Sequence, residues 1–201
     1  MKLARILILV AACAGNGAAI AQTATPVAPV ASAHDPAHLA AAERVIDAMA
    51  LVQVFAHSID RSVAQMRAAD PTTADLLSEA SAPLSQRKFI VDELRDFVAA
   101  QLDAPSCTAI ADFLEGPVGR KHLQAQLEEL RTGRPTPVVL DAREQAIEQA
   151  FGQSDAGAAF VRFATALGPR FAELTDKANA QIAANVRALL DRRLLAPAAK
   201  Q

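Results

Sequence analysis

Apolar residues recur along most of the chain at steps of three and four, the spacing that gathers side chains on one face of an α-helix. The stripe runs from Leu39 through Ala42, Ile46 and Met49 into Val52, Phe55, Ile59, Val63 and Met66. Asp35-Pro36 supplies an N-cap and a proline at the first helical position, and the stretch ends before Asp70-Pro71. The pattern predicts one long helix, or two with a bend near residue 50. Thr72 to Pro83 reads as a short, weak helical stretch. Ser85 is expected to cap a helix with Phe89, Ile90, Leu94, Phe97, Val98 and Leu102 on one face. Arg87, Asp92, Glu93, Arg95 and Asp96 lie on the other. Asp103-Ala104-Pro105 ends it, and Ser106 is expected to cap a short helix through Ile110, Phe113 and Leu114.

Gly116-Pro117 is the clearest punctuation, with the glycine expected to end one helix in the left-handed conformation and the proline to open the next. That helix uses Leu123, Leu127 and Leu130 and stops at Thr132-Gly133-Arg134-Pro135. A helix around Leu140, Ile147 and Phe151 follows, ended by Gly152, and Ser154 caps another with Ala156, Phe160, Phe163 and Leu167. Beyond Gly168-Pro169 the stripe resumes in phase with Phe171, Leu174, Ala178, Ile182, Val186 and Leu189. An unbroken phase predicts one long helix kinked at the proline, not a domain boundary. Nothing alternates with period two. The expected fold is therefore all-α, a multi-helix bundle of about seven or eight helices with a long kinked C-terminal helix.

Two segments echo each other. Phe113-Leu114-Glu115-Gly116-Pro117-Val118-Gly119 aligns with Phe151-Gly152-Gln153-Ser154-Asp155-Ala156-Gly157. Each has an aromatic at a helix end, a short turn, and a glycine one turn into the next helix. That glycine would let the preceding helix pack closely over the new one.

The N-terminus changes the picture from fold to compartment. Lys2 and Arg5 precede an apolar run from Ile6 to Ala14, and Ala19-Ile20-Ala21 fits a signal-peptidase site. The run is shorter than the roughly 20 residues a membrane span needs. Residues 1–21 are thus expected to be a signal peptide, with cleavage after Ala21 and a periplasmic mature chain beginning at Gln22. Val10-Ala11-Ala12-Cys13 offers a competing lipobox, and the membrane enters only if Cys13 is lipidated. Residues 22–34 (QTATPVAPVASAH) read as a flexible linker and 35–196 as a single helical domain. That length suffices for one domain burying about 70% of its unfolded surface.

Composition mostly excludes. Loss of Lys2 and Arg5 moves the formal net charge from −2 to −4. An acidic chain without a basic stripe predicts no nucleic-acid partner, because phosphate contacts need clustered cations. Arg187, Arg192 and Arg193 surround Asp191 near a helix C-terminus, where they complement the dipole. Cleavage leaves Cys107 alone, so no intramolecular disulfide can form. It is expected to be a buried small residue, although its place in a first helical turn could lower its pKa.

Catalytic and metal patterns are expected to be absent: catalytic residues none, cofactors none, metal ligands none. Of the histidines His34, His38, His57 and His122, only His34 and His38 have ligand-like spacing, and a helix starts between them. His57, Ser58 and Asp60 point apart on one helix, which favours a surface pair of His57 with Asp60 or Arg61 over a nucleophilic site. Asp92 with Asp96, and Glu144 with Glu148, read as solvated carboxylates beside Arg95 and Arg143, and Glu173 with Lys177 as an i, i+4 ion pair.

The segment Ala109 to Leu123 (AIADFLEGPVGRKHL) resembles a family of bacterial periplasmic proteins catalogued as domain of unknown function 2059. The helices from Ser85 to Leu130 fit that family's general plan. Gly116 stands where the family commonly has Ser or Thr, and Phe113-Leu114 replaces its aromatic pair. The resemblance implies an all-helical fold and export, and brings no assigned reaction.

Two functions follow as expectations. The first is a non-enzymatic interaction or accessory module of the cell envelope, working through a protein partner or self-association. The second is a carrier or sensor of a small apolar ligand or lipid held between helices, with Phe89, Phe97, Phe113, Phe151, Phe160 and Phe163 as candidate lining, although core is the favoured place for all six.

Overall fold

The computed structural model describes residues 35–195, and among them the only regular elements are eight helices. The expected signal peptide, its cleavage site, Cys13, and the whole linker with His34 lie outside the described residues. In chain order the helices are α1 (Pro36–Ala48), α2 (Leu51–Ala69), α3 (Pro71–Ser81), α4 (Arg87–Gln101), α5 (Ala104–Glu115), α6 (Pro117–Thr132), α7 (Ala142–Gln153) and α8 (Asp155–Leu195). The expected helical bundle is what forms, and α8 runs unbroken through Pro169. Pro169 has no N–H to give to the Thr165 carbonyl, so one rung of the ladder is missing there.

The choice between one long helix and two near residue 50 resolves as two. Met49 and Ala50 bond back to Val45 and Asp47, and Ala50 adopts a left-handed φ of 51°. That conformation costs an alanine about 1–2 kcal/mol. Burial of Met49, Ala50 and Leu51 on either side of the corner offsets the cost.

Three expected caps are corrected. Gly116 is extended, with φ −70° and ψ 170°, because a following proline clashes with a helical neighbour. The left-handed glycine is Gly133, at φ 67°. Asp103 displaces Ser106 as the cap of α5: its carboxylate accepts the Ser106 N–H at 2.8 Å, which sets the helix start earlier. Ser85 does not cap α4 either. Its N–H closes a turn onto the Ser81 carbonyl, and Gln86 enters the helix without a side-chain cap.

α1 forms the centre, packed on α4 and α5, while α8 packs on α5 and, further along, on α3. Ala42, Val45, Ile46, Ile90, Leu94, Val98, Ile110 and Phe160 are fully sealed at this centre. Burying one such aliphatic or aromatic side chain contributes about 1.5–3 kcal/mol. Cys107 lies sealed among them with its thiol toward the Leu102 carbonyl. Burial pushes that thiol up to about 11, opposite to the lowering its place in the first turn suggested. At the surface Arg44 ties α1 to α5 through Asp112 and Glu115, and Arg87 ties α4 to α1 through Asp47.

The echo is a geometric fact. Gly116 and Ser154 have the same extended backbone, and each N–H bonds to the phenylalanine three residues before it, at 3.1 and 3.0 Å. The two phenylalanines, Phe113 and Phe151, stack on each other with centroids 3.9 Å apart and planes 3° from parallel. A Cβ on Gly119 would lie 2.4 Å from the α5 backbone, and one on Gly157 2.0 Å from the Phe151 carbonyl oxygen. Both glycines are therefore required by close helix approach.

Candidate functional site

Among the described residues, the most enclosed of three hollows is a groove of about 280 Å³ between α2, α3 and α8. Phe55, Ile59, Val63 and Met66 line it from α2, Leu77 from α3, and Phe171, Ala178 and Ile182 from α8. Phe55 and Phe171 meet edge to face at 6.4 Å. At the opposite extreme Met66 is 37% exposed, so the groove opens to water.

Its polar lining is Ser58, Ser62, Ser81, Thr175 and Asn179, and no charged side chain contributes. The hydroxyls of Ser58, Ser62 and Thr175 donate to the carbonyls of Phe55, Ser58 and Phe171 at 2.7, 3.0 and 2.8 Å. Ser81 donates to Ser78 in the same way. Their protons are used within their own helices, and only lone pairs remain for a guest. Asn179 is exposed and hydrogen-bonds to none of the described residues.

Two of the α2 side chains that line the groove, Ser58 and Ser62, are short. Where Phe97 from α4 reaches Phe163 of α8 at 6.2 Å, the space is filled. Where Ser58 and Ser62 stand near Ala178 and Ile182, no side chain is long enough to fill it. Two other hollows, of about 350 Å³ beside Lys121 and Glu128 and about 430 Å³ beside His57, Asp60 and Arg61, are more open to solvent and carry charge.

The six phenylalanines offered as candidate lining, and expected first as core, are core. Phe160 and Phe163 are sealed core, and Phe89, Phe97, Phe113 and Phe151 pack against it. Phe55 and Phe171 take the lining role instead. Sequence carried a signal for this. The stripe of α2 includes serines at 58 and 62, and that of α8 is interleaved with Thr175 and Asn179, polar groups on otherwise inward faces.

Each histidine among the described residues approaches a group on another helix or at its end. His38 Nε2 lies 2.7 Å from the Leu102 carbonyl at the end of α4, and His57 Nε2 2.9 Å from the Leu130 carbonyl near the end of α6. His57 thus makes a tertiary contact in place of the expected pair with Asp60 or Arg61. His122 is buried on α6, with Nε2 3.1 Å from Glu148 Oε1 of α7 but misaligned for a hydrogen bond. One turn on, buried Gln126 Oε1 has no partner among the described residues.

The carboxylates separate likewise. Asp92 pairs with Lys88 and Asp96 with Arg95. Glu144 and Glu148 are not solvated as expected: Glu144 is held by Lys121 and the capping box with Asp141, and Glu148 lies against His122. The Lys121 hydrogen bond and the Asp141 N–H keep the Glu144 carboxyl below its ordinary value. Glu173 pairs with Arg170, while Lys177 reaches Glu93 on α4. Of the basic cluster, Arg193 pairs with Glu79 of α3 at 2.7 Å and Arg192 bonds back to the Ala188 carbonyl.

Among the described residues no group of three or more His, Cys, Asp and Glu could hold a metal ion, and no helix is long and apolar enough to cross a membrane. No family model matches the chain, no curated protein matches it, and no solved structure matches it.

Proposed function

We propose that the protein is a non-enzymatic accessory module of the bacterial cell envelope that carries or senses a small apolar molecule in the α2–α3–α8 groove. One observation carries the reading: a half-open, uncharged groove of about 280 Å³, close to the roughly 300 Å³ lower bound of small-molecule sites. Its hydroxyl protons are already bonded, so an apolar guest strands none of them, and Asn179 is exposed to water. The envelope location draws on the signal-like residues 1–21 and on the resemblance to the periplasmic family of unknown function.

The alternative, a protein-interaction module, draws on a different observation. α7 has no buried residue, Ile147 on it is 42% exposed, and Val139 just before it is 79% exposed. Exposed apolar residues taken singly are ordinary, which leaves the groove the stronger observation.

The test uses N-phenyl-1-naphthylamine, whose emission rises in apolar surroundings. The chain has no Trp and no Tyr, so little intrinsic emission competes. The wild type is expected to enhance the dye saturably. Ser62→Trp, which fills the groove from an exposed position, is expected to remove the enhancement, and Gln65→Trp outside the lining to retain it. Equal enhancement by all three proteins would refute the assignment.

A further inference from the structure

On α2 the lining residues Phe55, Ser58, Ile59, Ser62, Val63 and Met66 occupy one helix face over three turns, about 16 Å at 1.5 Å per residue. On α8 the lining runs from Phe171 to Ile182, the same number of residues. The lining is thus long on both helices beside a volume of about 280 Å³, which suits an extended guest, a slot-like use of the groove.

We propose that the slot takes a single unbranched hydrocarbon chain and leaves the ligand's polar end in water, an inference that rests on the small-ligand reading above. No lysine, arginine or histidine stands in the lining, so a carboxylate or phosphate drawn inside would lack a counter-ion. The hydroxyls inside are committed to their own helix carbonyls and ask for no polar partner. At the exposed edge Asn179 offers a neutral carboxamide without a partner among the described residues. Recognition therefore acts on the chain and is nearly blind to the head. A free fatty acid and a single-chain phospholipid present the same feature to this slot.

Calorimetric titration tests it with octyl-, decyl- and dodecylphosphocholine below their micelle-forming concentrations, with the carboxylates of matching chain length, and with 1-adamantanol as a compact guest. Affinity is expected to rise about fourfold per methylene until the slot is full. Exchanging phosphocholine for carboxylate at fixed length is expected to change it by no more than about fivefold, as for charges left in water. Ser62→Trp is expected to weaken dodecylphosphocholine binding at least about tenfold, the cost of losing two or more buried methylenes. Gln65→Trp is expected to leave it unchanged. Circular dichroism verifies that each variant folds, and Ile182→Phe blocks the same slot from α8 if Ser62→Trp does not fold. Affinity independent of chain length, a dominant head-group effect, or tighter binding of 1-adamantanol than of the decyl compounds overturns the chain assignment and leaves the small-ligand reading standing. No heat from any compound, together with no dye enhancement, overturns both.

Discussion

The two halves of α8 bury the same kind of stripe against different neighbours. Phe160, Phe163, Leu167 and Leu174 are at most 1% exposed, closed in by a centre that α1, α4 and α5 pack tightly. Past Thr175 the stripe continues in phase through Ala178 and Ile182, yet Ile182 is only half-buried and lines a groove. The difference is set from across the gap. Large residues on α4 and α5 fill the space at the first half, whereas Ser58 and Ser62 on α2 leave it open at the second. An apolar stripe tells which face of a helix turns inward. It does not tell whether anything there fills the space.

The largest expected contrast is in stability. Phe160→Ala in the sealed half is expected to cost about 3–5 kcal/mol, and Ile182→Ala at the groove about 1 kcal/mol, because the groove wall already touches water. Urea denaturation of the two variants measures it, and equal losses would erase the distinction between the halves. Next comes Gly157→Ala at the turn that leads into the sealed half. With its Cβ 2.0 Å from the Phe151 carbonyl oxygen, the backbone must move, at a cost of about 3 kcal/mol. Gly119→Ala at the paired turn is expected to behave alike, and a neutral result at either site would separate the two turns.

A smaller effect concerns the caps that fix where helices begin. The Ser106 hydroxyl and N–H hold the Asp103 carboxyl below its ordinary 3.8, and Thr73 does the same for Asp70. A lowered folded-state pKa stabilises the fold above the ordinary value, and that stability is lost as pH falls through the folded one. The melting temperature is therefore expected to be level from pH 7 to about 5 and to drop below about 4. Asp103→Ala is expected to cost about 1 kcal/mol at pH 7 and to shallow that acid slope. The smallest effect carries the opposite sign. Ser62→Leu fills part of the groove and is expected to add up to about 1 kcal/mol while weakening dye binding, a stability gain made at the expense of function. A loss of stability with dye binding intact would mean that the gap is not usable space.

Much of this architecture is legible in the residues because helix periodicity and proline punctuation are local. The stripe from Phe160 to Leu189 keeps phase across Pro169, and α8 is one helix. Caps are less legible where two signals compete. Asp103 outranked Ser106 because a carboxylate is the stronger acceptor, and Pro117 overrode the left-handed tendency of Gly116. The pairing of Phe113 with Phe151 lay behind the sequence echo, but stacking is a tertiary fact that spacing alone does not supply. The groove was the least legible feature. It depends on which residues face one another across three helices, and periodicity along one helix does not supply that.

The central claim is that the groove holds a small apolar molecule. Native mass spectrometry on the protein isolated gently from its own cells tests it most directly, with Ser62→Trp prepared in parallel. The wild type is expected to carry an extra mass that is absent from the variant and released on denaturation. A bare chain in both preparations, from cells where the protein is abundant, would contradict the claim.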